Sequence, residues 1–212
     1  MHGRELDINN ADLKRKIAKE AAVLLYFGAE KEYKQAKLRA ARTLGVRSLP
    51  TNLDVAIELD RVAEENEGPR REEQLIQMRA EALKMMRILA AYNPRLIGSV
   101  WRGTIRQGSD IDIAAYHDRP NEIVNLLKTQ GLDISKSEWV TVTKEGRAES
   151  SFHVYTATSG NQRVEIVVRS SEEAGRKRKC QIFGDQIKGL SIRELEKVLR
   201  ENPEQQFVPS HV

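Results

Sequence analysis

"IGSVWRGTIRQGSDIDIAAY", residues 97–116, places two carboxylates, Asp110 and Asp112, one residue apart in a segment that alternates charge with the apolar bulk of Ile111 and Ile113. Alternation of this kind predicts a strand, and side chains two apart on a strand share a face. Asp110 and Asp112 therefore point together to one side while the isoleucines point to the core. Two carboxylates so placed repel each other unless a cation sits beside them. A hard divalent ion such as magnesium meets that demand, and it keeps open positions for waters and substrate phosphates. The pair points to a phosphate-bearing substrate.

The first half of the stretch supplies complementary chemistry. Gly98-Ser99 predicts a turn from a strand into a helix start, where exposed backbone N–H groups receive anions. Glycine lets the backbone approach a phosphate, and the Ser99 hydroxyl can donate to it. Arg102 lies one helical turn beyond Ser99 and is expected to reach the same anion with its planar fork of donors. Arg106 is a further candidate in the loop, which Gly103 and Gly108 allow to fold tightly.

Outward from this stretch, the pattern changes at Asn93-Pro94. Residues 11 to about 92 are rich in Ala, Leu, Lys and Glu at helical spacings, such as Leu13, Ile17, Ala21 and Leu24. Gly28 is expected to bend or split the first helix and Gly45 to stop the next. Thr51 or Asn52 can cap a following helix, and Leu75, Met78, Ala82, Met85 and Leu89 mark the buried stripe of another. After Pro94 the chain reads as short strands: "RLIGSV", "DIDIAAY", then a helix "NEIVNLLKTQG", then "EWVTVT", "SFHVYTA" and "RVEIVVR". Thr158-Ser159-Gly160-Asn161 predicts a hairpin turn between the last two. Ser191 and Glu194 form a Ser-x-x-Glu capping box before a final helix. The expected organisation is a helical region over 1–92 and an α+β region with a helical tail over 93–212.

Composition narrows the class. The 212 residues carry 35 basic and 31 acidic side chains, a net charge of +4, so overall charge does not by itself establish nucleic-acid binding. No apolar run approaches the length of a membrane helix, and residues 1–10 lack the apolar core of a signal peptide. The single Cys180 excludes an internal disulfide framework and fits a reducing compartment, which makes the cytoplasm the expected location. Four scattered histidines give no zinc-type cluster.

Taken in order, Gly98-Ser99, ten intervening residues and Asp110-x-Asp112 resemble the signature of the DNA polymerase beta-type nucleotidyltransferase superfamily. The form is similar to that of minimal nucleotidyltransferases and archaeal CCA-adding enzymes. The likeness covers roughly residues 95–170, with its diagnostic part at 97–113. It implies a nucleotidyltransferase-type mixed sheet flanked by helices, and a third carboxylate on a later strand. Glu165, the lone acid inside "RVEIVVR", is the candidate, since a carboxylate buried there without a partner is costly. The resemblance implies two magnesium ions, replaceable by manganese, held by Asp110, Asp112 and Glu165. Gly98, Ser99 and Arg102 would hold the β and γ phosphates of a nucleoside triphosphate, ATP by default. A nucleoside monophosphate would pass to an acceptor hydroxyl on RNA, protein or a small molecule. The 47 residues after Glu165 are expected to be too few for the RNA-binding domains of a complete CCA-adding enzyme.

Other readings stand beside this one. The same fold can serve as a non-catalytic nucleotide- or RNA-binding module, or as an antitoxin-like transferase that modifies a protein partner. The helices of 1–92 could select an acceptor or pair with a second copy. Glu165 could simply pair with Arg163 or Arg169. Trp101 suits a core plug better than a base-stacking platform, and His153 suits a hydrogen-bonded structural histidine. The basic runs Lys14-Arg15-Lys16 with Lys19, and Arg176-Lys177-Arg178-Lys179, fit solvated faces better than nucleic-acid sites.

Overall fold

The computed structural model describes residues 2–144 and 147–209. These divide into two compact units, residues 2–71 with 179–185 and 209, and residues 72–144 and 147–178 with 186–208.

The first unit is built of α1 (His2–Tyr26), α2 (Tyr33–Thr43) and α3 (Asn52–Glu67). Gly28 splits the first two helices rather than bending one, at a left-handed φ of +71°. Small residues let these helices approach closely: Ala18, Ala21, Ala36, Ala40 and Ala41 pack with Ile17, Leu25 and Val55 in a small core. Thr51 is the cap of α3, and with Asp54 it forms a reciprocal capping box. Lys37 ties α2 to this cap, with Nζ donating to Pro50 O at 3.1 Å and Asn52 Oδ1 at 2.7 Å. Arg15, Lys16 and Lys19 are exposed on α1, the solvated face expected of them.

The second unit holds a five-stranded mixed sheet flanked by helices, the α+β class the sequence predicts. In chain order come α4 (Pro69–Ile88), β1 (Arg95–Ile97), α5 (Gly98–Arg102), β2 (Ile111–Tyr116) and α6 (Pro120–Thr129). They are followed by β3 (Ile134–Lys144), β4 (Arg147–Ala157), β5 (Arg163–Arg169) and α7 (Ile192–Glu201). Strand order is β1-β2-β5-β4-β3; β2 and β5 run parallel, and the other pairs are antiparallel. The β4–β5 hairpin closes at the predicted turn, where Thr158 N–H donates to Gln162 O at 2.9 Å. The Ser191–Glu194 capping box starts α7.

Period-two alternation divides the sheet into a dry face and a chemical face. Ile111, Ile113, Phe152, Val154, Val164 and Ile166 turn into the core, against Leu75 and Met78 of α4, Leu89 just beyond it, Ile123 and Leu127 of α6 and Leu195 of α7. Burying an aliphatic side chain contributes about 1.5–3 kcal/mol, so this face fixes the register of every strand. The residues between them, Asp112, Glu165, His153 and Tyr155, emerge on the opposite face and are only half-buried.

Candidate active site

The carboxylates meet because of strand register. In the parallel β2–β5 pair Asp112 lies opposite Glu165, and in the antiparallel β1–β2 pair it lies opposite Ile97. Asp110 immediately precedes β2 and is placed by its loop. Arg163 at the start of β5 donates through Nε to Asp110 Oδ1 at 2.6 Å and through Nη2 to Gly108 O at 2.7 Å. Gln162 Nε2 donates to Ser109 O at 3.1 Å, and Ser109 Oγ accepts the Arg106 N–H at 3.0 Å. Arg106 thus contributes its backbone to the shape of the loop.

Gly98 follows β1 and opens α5 at φ +71°. An ideal Cβ at this position would lie 1.9 Å from Asp112 Oδ2. Only glycine fits there, because the conformation is left-handed and the carboxylate occupies the space a side chain needs. Ser99, half-buried, follows in the first turn, and its carbonyl accepts the Thr104 N–H at 3.0 Å.

Arg102 requires a correction. Its guanidinium does not extend to the anion site expected of it from sequence. The residue is buried, its Nη1 donates to Phe207 O at 2.9 Å, and its guanidinium carbon stacks 4.4 Å from the Trp101 ring centroid. Phe207 N–H returns a bond to Arg102 O at 2.9 Å. The C-terminal segment, over a hundred residues away in sequence, recruits Arg102 as a structural partner. Trp101 is the core plug expected of it, packed among Leu96, Val100 and Ile105.

Glu165 has neither of the arginine partners that an ordinary ion pair would give it. His153 on β4 engages it, Nδ1 to Oε1 at 2.5 Å, while the other ring nitrogen, Nε2, meets Ser151 Oγ at 2.8 Å. Tyr155, opposite Glu165 in the β4–β5 register, completes the surroundings. His153 is a hydrogen-bonded histidine, as its strand position suggests, but its partner is a site carboxylate. Sequence reasoning missed that link. The available signal was His153 and Tyr155 alternating on one strand and Glu165 on the next, which becomes informative only with the register.

The electrostatics follow from this crowding. Burial pushes the Asp112 carboxyl up to about 7, and the negative charges of Glu165 and then Asp110 add to the effect. Burial, then the charge and hydrogen bond of Glu165, then Glu138, push the Tyr155 phenol up to about 12. Among the described residues no group of three or more His, Cys, Asp or Glu side chains is arranged to hold a metal ion. Asp110 is engaged by Arg163, and Glu165 by His153. The donor chemistry nonetheless suits a hard divalent cation: the oxygens are carboxylate oxygens, and their mutual repulsion is what such a cation removes. Beside Asp110 opens a cavity of about 350 Å³, with Lys136, Glu138, Tyr155, Thr156 and Arg163 among its lining residues. Within the basic run Arg176–Lys179, two of the four side chains have acidic neighbours. Arg178 donates to Glu149 at 3.1 Å and also pairs with Glu173, while Arg176 lies 3.8 Å from both acids.

No protein-family model and no curated protein sequence matches the chain. Among solved structures, one described by its work on the activity of a cytoplasmic RNA terminal U-transferase is similar over 56% of this chain and 34% of that one, at 15% identity and a TM-score of 0.28. The chain spans about a third of that protein's length. Likeness at this level carries no assignment. No described helix is long and apolar enough to cross a membrane.

Proposed function

We propose that the sheet unit is a metal-dependent nucleotidyltransferase that transfers a nucleoside monophosphate from a nucleoside triphosphate to an acceptor hydroxyl. The observation that supports this reading is the juxtaposition of Asp112 with Glu165 in register and with Gly98 at its carboxylate, Asp110 two residues away. Asp112 on β2, Glu165 on β5 and Asp110 in the loop just before β2 repel one another, and a cationic ligand would offset that repulsion.

Asp110, Asp112 and Glu165 would hold magnesium, for which manganese could substitute. The ion would neutralise phosphate charge and make an acceptor hydroxyl easier to ionise. The residues of the chain do the positioning. Gly98 lets the backbone pass close to the carboxylates, and the Gly98-Ser99 turn would receive the β and γ phosphates. Arg163, already at Asp110, supplies a cation at the mouth of the cavity. The acceptor oxygen bonds to the α phosphorus, the bond to the bridging oxygen of pyrophosphate breaks, and the hydroxyl proton passes to a carboxylate oxygen of the site. Placement and charge complementarity carry the rate. The acceptor belongs to one of three classes: an RNA 3′ end, a protein hydroxyl or a small molecule.

Incubating the full chain with each α-labelled nucleoside triphosphate, magnesium and either total RNA or cell lysate tests the reading. It predicts label that becomes covalently attached to one class of acceptor and requires the metal. Absence of transfer with all four nucleotides contradicts it.

A further inference from the structure

We propose that His153, braced by Ser151, is a positioning residue that aims the Glu165 carboxylate at the metal-binding face; the inference rests on the nucleotidyltransferase reading of the site. Three side chains form one line across two strands: Ser151 Oγ to His153 Nε2 at 2.8 Å, then His153 Nδ1 to Glu165 Oε1 at 2.5 Å. Both ring nitrogens are engaged, so the imidazole plane is fixed from either end. Ser151 and His153 are two apart on β4 and share a face, and Glu165 comes to them from β5.

The need for such a brace follows from the shape of glutamate. Its side chain has one more rotatable bond than aspartate, so on the same face as Asp112 it reaches further and samples more orientations. A carboxylate held at Oε1 by a fixed imidazole presents its other oxygen in a set direction. Losing a group that holds a ligand from behind in this way typically costs about 10–100-fold in metal affinity.

The order serine–histidine–acid also resembles a hydrolase relay, but Ser151 is only 5% exposed. A nucleophile must be reachable by substrate, whereas a brace does not. The buried serine favours the positioning role.

The test is Mn²⁺ binding to the full chain, by electron paramagnetic resonance or calorimetry, with thermal unfolding as the control for folding. His153→Ala is expected to weaken Mn²⁺ binding about 10–100-fold. His153→Asn, whose amide nitrogen can occupy the position of Nδ1, is expected to recover most of that affinity. His153→Gln, whose amide lies nearer the position of Nε2, is expected not to. Ser151→Ala removes the brace alone and is expected to give a smaller loss in the same direction. If His153→Ala does not fold, the Asn and Gln variants decide. Wild-type affinity in His153→Ala, or equal affinity in the Asn and Gln variants, overturns the inference alone. Wild-type protein that takes up no Mn²⁺ overturns the reading of the site and the inference with it.

Discussion

Gly98 and Asp112 share a space with room for only one side chain: a Cβ on residue 98 would lie 1.9 Å from Asp112 Oδ2 and 2.8 Å from its Cγ. Gly98→Ala must therefore push the carboxylate aside, besides adopting a left-handed conformation that costs about 1–2 kcal/mol. We expect a folded, mildly destabilised protein whose turnover falls about 100-fold, the penalty for a reacting group displaced by roughly 1 Å. Steady-state kinetics beside a thermal melt separates the two effects.

Asp112 ties stability to pH. Its folded carboxyl titrates near 7, raised by burial and by Glu165 and Asp110, whereas in an unfolded chain an aspartate titrates near ~3.9. Between those values the folded state retains a proton that the unfolded chain has lost. Stability therefore falls as pH rises through this window and levels off above it. Asp112→Asn removes the penalty. We expect its melting temperature to match the wild type near about pH 4 and to exceed it at about pH 8, by roughly 2–4 °C per kcal/mol. Saturating magnesium should narrow the gap at the higher pH by stabilising the wild type.

The Arg163–Asp110 pair is exposed on both sides, with side-chain accessibilities of 66% and 39%. A pair of that kind contributes no more than about 1 kcal/mol. Arg163→Ala is expected to leave the denaturant midpoint nearly unchanged. On the proposed reading the arginine and a divalent ion would compete for the same carboxylate, so Mn²⁺ binding should tighten. Weaker binding would show instead that Arg163 supports the metal-bound state.

Arg79 on α4 holds α5 from behind. It is fully buried, and its guanidinium donates to Val100 O, Trp101 O, Pro203 O and Gln205 O at 2.5–3.1 Å. Burial lowers its pKa to about 10, which still leaves it charged at neutral pH. Arg79→Met would leave four carbonyls without this donor, at about 1–3 kcal/mol for each group left unsatisfied in the interior. We expect a loss of about 4 kcal/mol or more in equilibrium unfolding, the four groups taken at the low end of that range. Lysine at this position should recover only part of it, since its ammonium has three donors and lacks the flat fork.

The sequence made some of this legible and not the rest, for physical reasons. Strands β2, β4 and β5, a cap at Thr51 or Asn52 and the Ser191–Glu194 capping box are set by local chemistry, by period-two alternation and by side chains bonding nearby backbone. Glu165 stood out because an acid inside an apolar strand needs a reason. His153 gave no comparable signal, because its role depends on the β4–β5 register. Arg102 misled because the helical spacing from Ser99 holds, while a segment 105 residues further along the chain captures the guanidinium. Arg79 gave no signal for a similar reason, since two of its four acceptors lie in that distant segment.

The most direct measurement is magnesium-dependent release of pyrophosphate from nucleoside triphosphate in the presence of the labelled acceptor, comparing wild type with Asp110→Asn and Asp112→Asn. Both substitutions keep side-chain size and remove the charge that would hold the ion. Loss of release in both variants, with folding intact, is the predicted result. Release that persists unchanged in either variant contradicts the assignment of the site.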